Sequence, residues 1–321
     1  SKSFSYLIRI AFHLFDNTIL DQDVFLMFYL GMNIIDWSAF VFALILQLFL
    51  FSRGHIFNRL FINFSAIIVY LGLSLFLYII LSENYNDVSQ SFKNLLIFEN
   101  FFSKENILPI VTIAGTIFAY FSIVIVNFGD FSRYVKNEKE LKIGNLSLIL
   151  NLIIFSLFSV LIVIGADIIL NKNLENIDQI LTNPTDIIGK FDNIFLSIIV
   201  LFFILFASAS TNLIANYVPS QNALLNFFPK KLNLKSSGII IVIIGFLIGI
   251  YWTPLLSQIG ILSFVDTVGA FFGPIFGIVI VDYYLIKKGK LVNKDIFSSI
   301  PNSAYYYSGG WHIKAIYSLF I

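Results

Sequence analysis

Long apolar runs recur along this chain, and they constrain its fold more than any other feature. Several reach the roughly 17–25 residues that an α-helix needs to cross a hydrocarbon core of about 30 Å, and charged residues are confined to the stretches between them. Hydrophobic residues make up 58% of the chain and charged residues 12%, which is outside the range of soluble globular domains. The pattern therefore predicts an all-α polytopic membrane protein, not a barrel.

The runs predict eight helices and the beginning of a ninth, in a single transmembrane domain over residues 1–321. The predicted helices are 4–20, 34–52, 60–81, 107–126, 143–170, 194–217, 237–253, 258–286 and 313–321. The chain begins without an initiator methionine or signal peptide and stops inside an apolar segment. We therefore expect it to be an internal fragment of a longer protein.

Basic residues are distributed unevenly among the connecting loops, and this bias predicts the orientation. Most of the 20 Lys and Arg residues lie in the loops 53–59, 127–142, 218–236 and 287–312. We expect these four loops to be cytoplasmic, in a multi-pass protein of the plasma or inner cell membrane. The chain has no cysteine, which excludes disulfides and thiolate metal sites.

Polar side chains are concentrated in segment 206–216 of an otherwise apolar helix, where such groups are costly unless satisfied. Ala207, Ser210 and Thr211 stand at i, i+3 and i+4, so a carbonyl and two hydroxyls converge on one face. These uncharged oxygens suit Na⁺ when a second helix supplies the remaining ligands. Ser, Thr and Asn side chains of this segment that bond back to their own helix, or to a neighbouring helix, fit the same spacing.

Two amides and two aromatic rings are candidates for contact with a solute. Asn212 and Asn216 are i, i+4 neighbours, and an amide can pair with the –NH–C(=O)– edge of a nucleobase, hydantoin or ureide. Tyr120 and Phe121 lie beside small residues in mid-helix, where a ring can stack on a planar solute. Core packing is the alternative for both rings.

A third group of candidates lies at the end of the helix that carries the rings. Gly129 can break that helix, and Asp130 and Arg133 are close enough in sequence to pair near the membrane surface. We interpret Asn127, Asp130 and Arg133 as structural or gating residues.

Four motifs, in order, resemble the nucleobase:cation symporter-1 family. Asn127-Phe-Gly-Asp-Phe-Ser-Arg-Tyr134 is similar to the family signature N-x-x-D-[FL]-[ST]-R-Y. The other three matches are Ser210-Thr-Asn through Ala215-Asn216 with Phe228-Pro-Lys-Lys231, Gly273-Pro-Ile-Phe-Gly277 with Asp282-Tyr-Tyr-Leu285, and Tyr305-Tyr-Tyr-Ser-Gly-Gly-Trp311. The resemblance implies a pair of inverted five-helix repeats, as in the amino-acid/polyamine/cation superfamily. The chain would run from part of family helix 3 to the start of helix 11, without helices 1 and 2.

The resemblance also implies roles for individual residues. It implies cation ligands at Ala207, Ser210 and Thr211, and a substrate contact at Asn216. The stacking aromatic falls at Phe121 or the adjacent Tyr120, where the family often has tryptophan, and this departure leaves the substrate open. The tryptophan and glutamine of family helix 3 have no clear counterpart here.

The predicted function is cation-coupled symport, with Na⁺ or H⁺, of a nucleobase or related heterocycle of the uracil, cytosine, allantoin, hydantoin, purine or thiamine class. We expect a monomer in the lipid bilayer that has no cofactor beyond the coupling ion and no nucleic-acid partner. A symporter of amino acids or amines with the same fold is the alternative.

A membrane-embedded enzyme is disfavoured, because no catalytic cluster is visible in the apolar segments. Among the remaining ionisable residues, Asp266 and Asp167 are candidates for proton relay, and an interfacial position at a helix end is the alternative for Asp167. His13, His55 and His312 lack metal-ligand spacing.

Overall fold

Helices account for the apolar runs of the chain. The computed structural model describes residues 2–15, 18–96, 103–173, 184–188, 193–296, 298 and 300–320. These residues form no β-strand, only two isolated bridges, Tyr29–Met32 and Ser308–Trp311. The prediction of an all-α polytopic membrane protein is confirmed.

The described α-helices are numbered in chain order. They are α1 (Lys2–Phe15), α2 (Asp23–Leu26), α3 (Ile34–Ser52), α4 (His55–Leu95), α5 (Lys104–Val126), α6 (Phe128–Ser132), α7 (Glu138–Asn173), α8 (Pro184–Ile188), α9 (Ile194–Asn212), α10 (Val218–Phe227), α11 (Leu234–Ile259), α12 (Ile261–Ile280) and α13 (Ile313–Phe320). A short 3₁₀ helix occupies Ile19–Asp21. Two π-helical turns, Leu213–Tyr217 and Val281–Ile286, follow α9 and α12.

Seven stretches of the described helices are long and apolar enough to cross a membrane. They are Ile34–Ser52, Ile56–Ser82, Lys104–Ser122, Glu138–Ile169, Ile194–Phe227, Leu234–Trp252 and Ser263–Ile286. The predicted helix 4–20 is helical over Lys2–Phe15, and residues 16 and 17 lie outside the described ranges.

Helix α3 has the predicted bounds, 34–52, because both of its ends carry local signals. The Asn33 side chain accepts a hydrogen bond from the Asp36 backbone N–H at 3.0 Å, and the Asp36 carboxylate accepts one from the Asn33 N–H at 3.4 Å. This reciprocal pair is a capping box. Beyond the last turn, Gly54 has φ +84°, which L side chains rarely adopt.

Three sequence predictions near helix ends are wrong. Helix α4 runs over His55–Leu95 instead of 60–81, with a kink at Asn84 just beyond its membrane-length part. The predicted loop 218–236 is helical as far as Phe227. Gly129 lies inside α6, and the break is at Asn127. Hydropathy reports which residues favour lipid, whereas a helix can continue into polar sequence.

The described residues divide into two compact units that interleave along the chain. The first unit comprises Ser1–Glu99 and Ser132–Leu255, and the second comprises Asn100–Phe131 and Leu256–Ile321.

In the first unit, α4 packs against α7 and α9, and α1 packs against α3 and α9. Its main core lies where these helices meet, and its buried residues are Phe76, Ile80, Val88, Ile162, Ala166, Ile187, Ile188, Leu196, Val200 and Leu201. A smaller apolar cluster joins Phe51 to Leu213 and Tyr217.

In the second unit, α5 packs against α12. A Cβ added to Gly269 of α12 would collide with the Cβ of Ala119 on α5. Close approach therefore requires glycine at this position. Helix α12 also contacts α13, so these three helices form the frame of the unit.

Candidate functional site

The predicted cation ligands lie in the last turns of α9. The Ser210 hydroxyl donates to the Phe206 carbonyl at 2.7 Å and lies 3.1 Å from the Ala207 carbonyl. Ser210 is half-buried and Thr211, one turn beyond Ala207, is exposed. A hydroxyl has one donor hydrogen and two acceptor lone pairs, so donation into the helix leaves the oxygen of Ser210 able to bind a cation.

The two amides form a pair across the boundary between α9 and the first π-helical turn. Asn216 Nδ2 donates to Asn212 Oδ1 at 2.7 Å. Asn216 is exposed and Asn212 is half-buried. Because each amide has one acceptor oxygen and two donor hydrogens, the pair keeps the Asn216 oxygen and three N–H groups for other partners. That set can recognise a group with adjacent N–H and C=O.

The π-helical turn itself follows from a proline. Pro219 has no N–H, and its ring crowds the carbonyl four residues earlier, that of Ala215. The preceding turn is widened, and the Val218 N–H bonds to the Leu213 carbonyl five residues back. Single π-turns in long helices are frequent at functional sites, and this one contains Asn216.

The opposite side of α9 and the π-turn is structural. Ala209, Leu213 and Tyr217 are buried, and the Tyr217 ring lies 4.7 Å from that of Phe51. The Tyr217 hydroxyl donates to the Gly238 carbonyl at 3.0 Å. These contacts fix the rotation of the helix, so the candidate ligands lie on its other faces.

Sequence reasoning missed Gln47, which packs behind the candidate ligands. Its Nε2 donates to the Ala209 carbonyl at 3.1 Å, and the residue is only 6% exposed. Its Oε1 is buried and has no hydrogen-bond partner among the described residues. The signal was present in the sequence, because a lone amide in the apolar helix α3 is unusual at membrane depth.

The predicted aromatic contacts lie on α5, in the second unit. Tyr120 is exposed and Phe121 is half-buried, with ring centroids 5.2 Å apart at an interplanar angle of 80°. Edge-to-face rings do not present one continuous plane, so only one of them can stack on a given solute. Their shared role with Asn216 stays a prediction.

The residues interpreted as structural or gating surround the end of α5. Asn127 lies between α5 and α6, and its carbonyl accepts from the Asp130 N–H at 2.9 Å. Asp130 is half-buried and Arg133 is exposed. The pairing of Asp130 with Arg133, and a gating role, stay predictions.

A charged and aromatic cluster that the sequence did not predict joins the second π-turn to the segment before α13. Lys287 Nζ lies 2.7 Å from Asp282 Oδ2 and donates to the Tyr307 hydroxyl at 3.0 Å. The ammonium also lies 4.4 Å from the Tyr305 ring centroid. Two of the family-like motifs thus meet in one set of contacts.

His312 completes this cluster. Its ring lies 4.1 Å from that of Tyr307, and its Nδ1 accepts from the Ala315 N–H at the start of α13. The proton of the neutral ring is therefore on Nε2, 3.8 Å from Asp282 Oδ1. Burial lowers the pKa of the Lys287 amine, but the hydrogen bonds and charges of Asp282 and Tyr307 outweigh it and leave that pKa raised.

The other ionisable candidates lie outside this cluster. Asp167 is half-buried on α7, and Asp266 is exposed on α12. Within the described ranges, no group of three or more His, Asp or Glu residues could hold a metal ion.

Comparison with known proteins identifies the family. Residues 27–321 match the family described as permease for cytosine/purines, uracil, thiamine, allantoin. The chain is 28% identical over 201 residues to the purine-uracil permease NCS1 of Arabidopsis thaliana, an alignment that covers 63% of this chain and 32% of the relative.

Two further relatives are bacterial. The chain is 24% identical over 212 residues to the allantoin permease of Bacillus subtilis (strain 168), covering 66% of the chain and 41% of the relative. It is 26% identical over 136 residues to the hydantoin permease of Microbacterium maritypicum, covering 42% and 27%. The matches thus span less than half the length of these relatives, and no solved structure matches the chain. Because the family match covers most of its length, the chain belongs to the family of permeases for cytosine/purines, uracil, thiamine and allantoin.

Proposed function

We propose that this protein moves a nucleobase or a related heterocycle or ureide across a membrane, in symport with Na⁺ or H⁺. It acts by alternating access and not as an enzyme. The observation that carries the proposal is the arrangement at the end of α9, where uncharged oxygens and a hydrogen-bonded amide pair share two adjacent turns. Membership of the permease family supports the same conclusion.

The cation is held by the Ala207 carbonyl, Ser210 Oγ and Thr211 Oγ1. Each is a neutral hard oxygen, the ligand type that suits an alkali cation. The structure supports this set because Ser210 Oγ and the Ala207 carbonyl already lie 3.1 Å apart. Because a hydroxyl keeps acceptor lone pairs while it donates to the Phe206 carbonyl, Ser210 Oγ remains able to bind the ion.

The solute is recognised by the Asn216 amide, supported by Asn212. Their 2.7 Å hydrogen bond sets the orientation of the Asn216 side chain, so its oxygen and remaining N–H meet the N–H and C=O of a flat heterocycle. A site that hydrogen-bonds a substrate in this way discriminates strongly against analogues that lack the matching groups. The resemblance separately makes Phe121 or Tyr120 of α5 the candidate ring for stacking on a planar solute.

Uptake by the protein at its natural length, reconstituted in liposomes, tests the proposal. Labelled uracil, allantoin and hydantoin are offered with a Na⁺ gradient, a pH gradient or neither. We expect a gradient to drive uptake of at least one of them. We expect Asn216→Ala to lower uptake about tenfold through lost hydrogen bonds, and Thr211→Val to reduce the dependence on the cation.

Matched control variants distinguish an effect on the site residues from a general effect on the helices. Ser208→Ala removes an exposed hydroxyl from α9, and Asn226→Ala removes an exposed amide from α10. Both should transport like the wild type. Unchanged uptake in Asn216→Ala and Thr211→Val would contradict the residue assignment. Uptake of amino acids in place of the heterocycles would contradict the substrate class.

A further inference from the structure

A cavity in the first unit lies apart from the candidate transport residues. It has a volume of about 520 Å³ and lies between the end of α3, the start of α4, α10 and the start of α11. Its lining residues are Ile45, Leu48, Phe49, Phe51, Ser52, Gly54, Asn58, Gln221, Leu234, Lys235 and Ile239. We call it the α3–α11 cavity. Its volume is typical of a ligand site.

The α3–α11 cavity has an apolar inner part and a polar mouth. Ser52, Gly54 and Lys235 stand where the membrane-length parts of α3, α4 and α11 begin or end. Ile45 lies two turns inside α3, on the order of 10 Å deeper. The cavity therefore extends from a membrane surface into the apolar layer, at the side that the basic loops predict to be cytoplasmic.

The mouth carries positive charge that is not balanced nearby in the sequence. Lys235 lines the cavity, and the Arg53 guanidinium lies 4.3 Å from the ring centroid of Phe49, another lining residue. The segments that form the cavity, 37–82 and 193–265, contain no aspartate or glutamate at all. These segments therefore attract an anion at the mouth and contribute no competing carboxylate of their own.

A buried amide oxygen that lacks a hydrogen-bond donor is an independent indication of a ligand in the cavity. Asn58 lines the cavity and is only 8% exposed. Its Oδ1 is buried, and no described group donates a hydrogen bond to it. A buried acceptor without a donor is unfavourable, and a hydroxyl on a bound molecule would relieve it.

We propose that the α3–α11 cavity binds an anionic membrane phospholipid whose headgroup carries hydroxyls, such as phosphatidylglycerol. The phosphate lies between Arg53 and Lys235, a headgroup hydroxyl donates to Asn58 Oδ1, and the upper part of an acyl chain lies against Ile45 and Ile239. Basic pockets between membrane helices are a recurrent means of recognising such headgroups. The site does not depend on the transport mechanism.

Lipid titration followed by native mass spectrometry tests this directly. The protein at its natural length is purified in detergent, freed of lipid, and titrated with phosphatidylglycerol or with phosphatidylcholine of the same acyl chains. We expect tighter binding of phosphatidylglycerol. The double variant Arg53→Gln/Lys235→Gln should weaken it about 30-fold, since each cation near a membrane surface contributes roughly a factor of five. Lys136→Gln/Lys139→Gln removes two exposed lysines elsewhere and should have no effect.

Two further variants test the cavity itself. Ile239→Trp fills it and should abolish the preference for phosphatidylglycerol, whereas Ile243→Trp, one turn further along α11 and outside the lining, should not. Asn58→Leu should weaken phosphatidylglycerol binding about fivefold through the lost hydrogen bond. Thermal unfolding of each lipid-free variant shows whether the fold is retained.

Three results would overturn the proposal. One is equal affinity for the two lipids, and another is an unchanged preference in a folded Arg53→Gln/Lys235→Gln variant. The third is displacement of phosphatidylglycerol by free glycerol phosphate at an equal concentration, which would indicate a site for a soluble anion. Since lipid binding is measured without transport, failure here leaves the proposed function untouched, and the reverse also holds.

Discussion

Both π-helical turns depart from regular α-helix, but the first is stabilised by apolar packing and the second by charged and aromatic contacts. The turn Leu213–Tyr217 lies within a membrane-length helix, and Leu213 and Tyr217 are buried against Phe51. The turn Val281–Ile286 contains no buried residue. It is held by Asp282, through Lys287 and its aromatic neighbours at the end of a membrane-length helix.

The difference follows from what surrounds each turn. The first turn packs against Phe51 and bonds to α11 through the Tyr217 hydroxyl, so neighbouring helices support its widened backbone without burying charge. The second turn has no buried residue and can use ions, because water and headgroups reduce the cost of desolvation. In the first turn, Tyr217 supports the fold through its hydroxyl, whereas the exposed Asn216 amide is available to a ligand. In the second turn, Asp282 is bound by Lys287.

Truncation of the buried ring should give the largest loss of stability. We expect Tyr217→Ala to lower the free energy of unfolding by about 4 kcal/mol, since it removes a buried aromatic ring and leaves a cavity. Thermal unfolding of the purified protein in one detergent measures the change. Tyr251→Ala, at an exposed ring on α11, is the control and should change little. Equal losses in the two variants would show that packing does not hold the first turn.

Neutralising Asp282 in the second turn should lower the free energy of unfolding by a smaller amount. We expect Asp282→Asn to cost about 2 kcal/mol, below the value for a fully buried ion pair, because both partners are partly exposed. The same unfolding measurement applies. Glu138→Gln is the matched control, since its pair with Lys142 on α7 is exposed and contributes almost nothing. A loss no greater than that of the control would mean that Asp282 does not hold the turn.

Alkaline pH should weaken the ion pair between Lys287 and Asp282. The pKa of Lys287 is raised in the folded protein, so the folded state holds this proton more tightly than the unfolded state. The stabilisation is therefore complete below the ordinary lysine pKa of about 10.4 and is lost as the pH rises through the folded value. We expect the unfolding temperatures of wild type and Asp282→Asn to differ at pH 8 and to converge at strongly alkaline pH. A constant difference would exclude Lys287 as the partner.

Removing the Tyr217 hydroxyl from the first turn should lower the free energy of unfolding by a smaller amount. We expect Tyr217→Phe to cost about 1 kcal/mol, the usual net value of one hydrogen bond, here the 3.0 Å bond to the Gly238 carbonyl. The packing of the ring remains. A loss as large as that of Tyr217→Ala would indicate that hydrogen bonding, not packing, supports the turn.

The smallest effect on stability should come from the exposed amide of the first turn. We expect Asn216→Ala to change the free energy of unfolding by less than about 0.5 kcal/mol, as for exposed positions in general, while uptake falls. Its amide is hydrogen-bonded to Asn212 on the same helical stretch. A large loss of stability would give Asn216 a structural role and weaken the transport assignment.

Helix positions were largely predictable because the thickness of the apolar layer and the hydropathy of each run are local properties. Helix α3 was predicted to the residue. The errors fell where a helix extends beyond the lipid, as after Asn84 in α4 and in α10. Hydropathy carries no information about such extensions.

The candidate site was predictable where spacing along one helix decides it. The approach of Ser210 to the Ala207 carbonyl, and the pair of Asn212 and Asn216, follow from i, i+3 and i, i+4 geometry. Gln47 was missed because its partner is on another helix. Which of Tyr120 and Phe121 stacks on a solute was left open by spacing, since adjacent residues point in different directions.

The sequence by itself determined that this protein is a bundle of membrane helices with a polar segment in α9, and its motifs resembled one permease family. Only the tertiary structure decided which polar groups are used for support. It placed Tyr217 in a core with Phe51, and it joined Asp282 to Lys287 and Tyr307. The reason is physical: lipid selects residues one segment at a time, whereas hydrogen bonds and packing between helices depend on which faces meet, and no local pattern encodes that.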